Sequence, residues 1–167
     1  MNYARHAKSL RIRQSFVLVT LVLVIGGAIP ASAETPTDIY NFKGGTGDVA
    51  GPLPYGVIAQ GRDRNFYSEA PAGGANSNGG IFMVSPSGAE TLLYSFKSSD
   101  GTGCQPGLNL ANDGNFYGHC LYGGSGSNGS LYKVTPTGTF TILHAFTGGA
   151  DGGTPNGPPI QATDGNL

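Results

Sequence analysis

Three aspartates return along the chain at intervals of 50 and 51 residues, Asp63, Asp113 and Asp164, and each is followed two residues later by an asparagine, Asn65, Asn115 and Asn166. Carboxylates that meet in space can divide acid and base roles between them, as hydrolysis requires. A second candidate stands nearby: His119 precedes Cys120, a pair that could ligate a metal or activate a thiolate. Neither constellation is complete. An acid present in every copy of a repeat suits a turn, where its short side chain bonds nearby backbone, better than a reaction needed once. His119 aligns with Glu69 and has no second ligand at regular spacing, so neither a zinc set nor a base–nucleophile pair can be built from it. His144 replaces an aromatic, Tyr94, and reads as a packed strand residue, while His6 lies in the N-terminal leader.

The remaining chemistry is thin. Stretches such as "GGSGSNGS" are glycine-rich, yet neither GxxxxGK[ST] nor a strand–GxGxxG–helix arrangement is present, so they read as loops. "DGTG" and "ADGG" lack the spaced acids and terminal Glu of an EF-hand loop. Asn128 heads a formal glycosylation sequon. No cofactor is expected. Cys104 and Cys120 are the only cysteines, sixteen residues apart; in an exported chain they read as a disulfide tying a variable loop to the neighbouring strand.

What positions these residues is an internal repeat. Gly73 to Gly88, "GGANSNGGIFMVSPSG", lies over Gly123 to Gly138, "GGSGSNGSLYKVTPTG", with eight of sixteen positions identical at an offset of 50. Tyr67 matches Tyr117, and "TLLYSF" ending at Phe96 matches "TILHAF" ending at Phe146. "IYNF" ending at Phe42 reads as the tail of a preceding unit, and Asp164-Gly165-Asn166 as the opening of a further one. The organisation predicted is a leader over 1–33, a tail ending near 42, copies over 43–96 and 97–146, and an incomplete copy over 147–167.

Each copy reads as four short strands. Residues 106–111 and 115–120 flank Asp113-Gly114, a dipeptide that predicts a two-residue type I′ hairpin. Arg64 stands where Gly114 stands in the other copy, so the first hairpin is predicted to turn differently, left-handed geometry costing an L-residue roughly 1–2 kcal/mol. Residues 130–135 and 139–146 supply the second pair of strands. Tyr132 and Val134 share one face, matched by Phe82 and Val84, with Lys133 and Met83 on the other; Ile142, His144 and Phe146 likewise align with Leu92, Tyr94 and Phe96. One such sheet cannot bury both faces. Radial stacking resolves this, and four strands in about 50 residues is the period of a β-propeller blade; a β-solenoid is the alternative architecture.

Composition agrees with an all-β chain. Of 167 residues, 29 are Gly and 11 Pro, and 11% are charged, against roughly 25% in a typical soluble domain. Arg5, Lys8, Arg11 and Arg13 precede an uncharged run from Phe16 to Ile29, then small residues at Ala31 and Ala33. That is the pattern of a secretory signal peptide cut after Ala33, the apolar run falling short of the ~20 residues that span a bilayer. Without the leader, five basic residues face ten acidic ones, net −5. A nucleic-acid partner is therefore excluded, there being no basic patch to meet phosphates, and the membrane enters only through the export signal.

The succession DGN-aromatic-Tyr-Gly, a Gly-rich loop, K-V-T-P-x-G, then Leu-aromatic-x-Phe resembles the GloVer extracellular tandem repeat of choice-of-anchor bacterial proteins, over residues 39–167. The resemblance implies secretion and a β-propeller, and it supplies no catalytic residue. The function expected is that of a secreted or cell-surface noncatalytic repeat protein whose loops bind a polysaccharide or a cell-surface protein; the alternative is part of a polysaccharide-active propeller enzyme. Propellers close with four to eight blades, so fewer than three copies predict either a stretch of a longer protein or self-association through open edges.

Overall fold

A computed structural model of the protein describes residues 37–42, 56–105 and 107–167. The leader and the cleavage position after Ala33 lie outside the described residues. Two antiparallel sheets account for the regular structure, and no helix occurs among the described residues. The first sheet takes β1 (Ala59–Gln60), β2 (Phe66–Ala70), β3 (Gly80–Val84) and β4 (Glu90–Ser95) in spatial order β1-β2-β3-β4. The second takes β5 (Thr102–Cys104), β6 (Asn109–Leu110), β7 (Phe116–Tyr122), β8 (Ser130–Val134) and β9 (Phe140–Ala145), in the order β5-β7-β8-β9. β6 and β5 lie along the same edge of β7, pairing with its beginning and its end respectively. The second copy thus has five strands rather than four, and a disulfide joins Cys104 of β5 to Cys120 directly opposite on β7.

Alternation sets which side chains meet. Ser130, Tyr132 and Val134 are buried while Leu131 and Lys133 are half-buried, the period of two that a strand imposes. The last strand of each sheet departs from that period. Tyr132 faces Ile142 and Leu131 faces His144, with Leu143 as the extra residue of a bulge; Leu93 repeats this in the first sheet. A bulge inverts the faces beyond it. Ile142 and His144 therefore point to opposite sides, as do Leu92 and Tyr94, despite their even spacing.

The core lies between the sheets. Tyr67 of β2 stacks on Phe116 of β7 with centroids 4.2 Å apart, and Tyr94 of β4 stacks on Phe140 of β9 at 4.1 Å. Phe96 packs on Tyr132 and Phe140, and Ile81, Leu108 and Val134 complete the buried cluster. Residues 37–42 cover the first sheet in the way the first covers the second: Phe42, at the position of Phe96, packs edge-on against Phe82, which holds the place of Tyr132.

The turns were read only in part. Gly114 N–H donates to the Ala111 carbonyl and Ala111 N–H to the Asn115 carbonyl, both at 3.0 Å. Only Gly114, at φ 82°, is left-handed; Asp113 is not among the residues with positive φ. A type I′ turn needs both central residues left-handed, so this is a wider loop from Ala111 to Asn115 ending in one left-handed residue. Contrary to expectation, the first copy turns the same way: Gly61 and Asn65 close the identical loop with Arg64 at φ 71°. The bonds of the loop outweigh the steric cost at one residue.

Candidate functional site

The recurring polar residues form a closed constellation in each copy. Asp113 Oδ1 accepts from the Asn115 backbone N–H at 3.0 Å; its Oδ2 accepts from Asn115 Nδ2 at 2.6 Å and from the Tyr117 hydroxyl at 2.9 Å. Asp63 repeats this with Asn65 at 3.2 and 2.8 Å and Tyr67 at 2.6 Å. Asp164 does the same with Asn166, at 3.0 and 2.9 Å, after Gly165 at φ 89°. Every acceptor is aimed inward at its own loop, and no hydrogen bond joins one of the three carboxylates to another among the described residues.

The electrostatics follow. Bonding by the Tyr67 hydroxyl, then by Asn65, holds the Asp63 carboxyl below the ordinary range. At Asp113 burial pushes the other way but is outweighed by the bonds from Asn115 and Tyr117 and by the Lys133 charge. At Asp164 the Asn166 backbone and amide lower it. Burial, then the Asp63 bond, push Tyr67 up to about 12. Ionised carboxylates whose lone pairs are already taken are poor general bases.

Consecutive copies touch through equivalent positions. Val57 forms a parallel bridge with Gly107, Arg62 Nη2 donates to the Asn112 carbonyl at 2.6 Å, and Asn109 Nδ2 donates to the Pro159 carbonyl at 3.0 Å, each pair 50 residues apart. Gln161 Oε1 accepts from Asn112 N–H at 2.7 Å. The sequence model of the Gloeobacter/Verrucomicrobia repeat matches residues 28–167. The chain belongs to the Gloeobacter/Verrucomicrobia repeat family. No curated protein and no solved structure matches it.

Two ionisable residues are buried at one equivalent position of the repeat, of which sequence reasoning set aside His119 as a ligand. Glu69 on β2 is 0% exposed and His119 on β7 is 2% exposed. Neither belongs to a metal-ligating group: no cluster of three or more His, Cys, Asp and Glu is placed to hold an ion among the described residues. Cys120 is taken up in the disulfide and is not available as a nucleophile. His144, read as packed, is instead exposed; its Nε2 lies 3.1 Å from Asp151 Oδ2, as the Tyr94 hydroxyl bonds Asp100 Oδ2 at 2.7 Å one copy earlier.

Among the described residues a concave surface opens beside the first sheet. A cavity of about 450 Å³ lies between residues 37–42 and the first sheet, lined by Thr37, Asp38, Tyr40, Ile58, Gln60 and Phe66 among others. Two of its walls are closed at the equivalent positions of the second sheet, where Leu108 and Phe116 are buried, whereas Ile58 is 58% exposed and Phe66 half-buried; Phe82 and Val84 are buried like Tyr132 and Val134. Of its polar groups Thr37, Tyr40 and Gln60 recur along the chain, as Thr91 and Thr141, as Tyr94 and as Gln161, whereas Asp38 falls where the later copies have Leu92 and Ile142.

Proposed function

We propose that this chain is an exported, noncatalytic repeat domain that binds a polysaccharide, and that its sheets are successive blades of a β-propeller. Export is inferred from the basic, apolar, small-residue succession over residues 1–33. The blade reading is supported by sheets whose ladders, the single Val57–Gly107 bridge apart, stay within one copy while copies meet face to face. A β-solenoid would instead run its ladders between repeats. The first strands of adjacent copies also lie side by side, as the Val57–Gly107 bridge indicates, which suits strands gathered round a central axis.

The observation that carries the binding role is the cavity. It sets the rings of Tyr40 and Phe66 beside Asp38 and Gln60, apolar faces with a few polar groups that can orient a sugar ring. The recurring acids Asp63, Asp113 and Asp164 are engaged in their turns, and Glu69 is enclosed. Calorimetric titration of the purified protein with a panel of soluble polysaccharides tests this: saturable binding without turnover is expected, with affinity about tenfold weaker for Gln60→Ala, the scale of one lost bond. Reproducible polysaccharide turnover, abolished by Glu69→Gln or Glu90→Gln, would overturn the noncatalytic role.

A further inference from the structure

Glu69 and His119 occupy one position of the repeat, and each looks toward the backbone of the following copy. Gly157 N–H donates to His119 Nε2 at 3.0 Å. Gly107, the glycine 50 residues earlier, is the backbone donor that acts on the Glu69 carboxyl, without completing a hydrogen bond to either oxygen. A ring nitrogen that accepts an N–H carries no proton, so His119 is held neutral with its proton on Nδ1, which has no partner. Among the described residues no charged group acts on either residue; burial pushes the imidazole below 6.5, and burial pushes the Glu69 carboxyl well above 4.5 against the Gly107 N–H.

We propose that this position is a pH-responsive joint between successive repeats, with opposite sense at its two occurrences: protonation of His119 frees residues 147–167 from the second sheet, and ionisation of Glu69 loosens the first sheet from the second. The segment 147–167 is otherwise held by Thr154 N–H on the Asn128 carbonyl and by the Asn109 and Asn112 bonds, which do not titrate, and by the His144–Asp151 contact. By register His119 shares its face of the sheet with Tyr117, Lys133 and His144, Asp113 being bonded to Tyr117, and the segment carries Asp151 and Asp164. Asp113, Asp151 and Asp164 are held ionised by their own bonds. Protonating His144 would strengthen its contact with Asp151 rather than break it. Around Glu69 the facing groups are Tyr67, Tyr94 and the loop residues Asp63, Arg62 and Asp113, all engaged elsewhere.

The signs follow from linkage. His119, depressed in the fold, lends stability that is whole above the ordinary imidazole value of 6.5 and is lost as pH falls. Glu69, raised in the fold, lends stability that is whole below 4.5 and is lost as pH rises through its elevated value.

Amide hydrogen exchange, corrected for intrinsic rates, tests both arms on the full chain. Protection of residues 147–167 is expected to fall by up to about tenfold per pH unit as pH drops from 6.5 toward the depressed value of His119 in the fold, and to level off below it. His119→Gln, whose amide oxygen accepts the same N–H without titrating, should keep that protection. Protection independent of pH in the natural protein, or the same loss in His119→Gln, would overturn the His119 arm. Should that variant not fold, the imidazole C–H titration by NMR decides: a midpoint below 6.5 coinciding with loss of protection supports the joint, and a midpoint at or above 6.5 refutes it. For the other arm, Glu69→Gln should raise the melting temperature by an amount that grows from pH 4.5 to pH 8; an equal effect at both would refute it.

Discussion

Individual residues reveal how strongly the repeat imposes itself on its own sequence. Arg64 is held at φ 71° where the next copies have Gly114 and Gly165 at 82° and 89°. The left-handed region costs an L-residue with a Cβ roughly 1–2 kcal/mol, yet the loop closes with the same two backbone bonds in all three places. Arg64→Gly is expected to stabilise the protein by about 0.5–1 kcal/mol, the strain relieved less the entropy that glycine adds to the unfolded chain. A urea denaturation midpoint that is unchanged or lowered would show that the arginine is not strained. The same scale explains why the chemistry suggested by Asp63, Asp113 and Asp164 did not materialise. Spacing could show that these acids recur, but only the fold could show that each is bonded to the asparagine two residues on.

Strands and turns were legible where one physical signal decides them. The alternation Ser130, Tyr132, Val134 reads directly as a buried face. β5 was not legible, because Thr102-Gly103-Cys104 has no apolar alternation; its place is set by pairing with β7 and by the disulfide. The bulges at Leu93 and Leu143 were equally hidden, since one inserted residue leaves the local composition unchanged. Cross-strand pairs supply a sharper test of equivalence. Gly118 sits opposite Tyr132, and a Cβ there would collide with the tyrosine hydroxyl, which is buried without a partner; the first sheet has Ser68 opposite Phe82. Gly118→Ser alone should cost about 1–3 kcal/mol by overpacking. Adding Tyr132→Phe should recover part of it, the hydroxyl gone and the ring carbons left to shift, and the Ser68 hydroxyl shows the bond such a serine makes, to the Val57 carbonyl at 3.3 Å. Additive losses in the double-mutant cycle would contradict the equivalence of the two pairs.

At the scale of the molecule, the period of about 50 residues was legible in the sequence, and it announced that one sheet would have to be covered by the next. What it could not show is which residues do the covering. Burial follows register rather than polarity, so Glu69 and His119 are enclosed while Ile58 stands open. The two sheets share one core, in which Tyr67, Ile81 and Phe96 from the first meet Phe116, Tyr132 and Val134 from the second. If the recurrent aromatic and polar residues exist to join repeats, loosening one sheet must loosen the other. Hydrogen exchange in Tyr67→Ala tests that dependence most directly, the substitution removing a ring stacked 4.2 Å from Phe116 at a cost of about 3–5 kcal/mol. Amides of β7 and β8, fifty residues away in the chain, are expected to lose protection to the same extent as those of β2 and β3. Loss confined to β2 and β3, with β7 and β8 as protected as before, would contradict it.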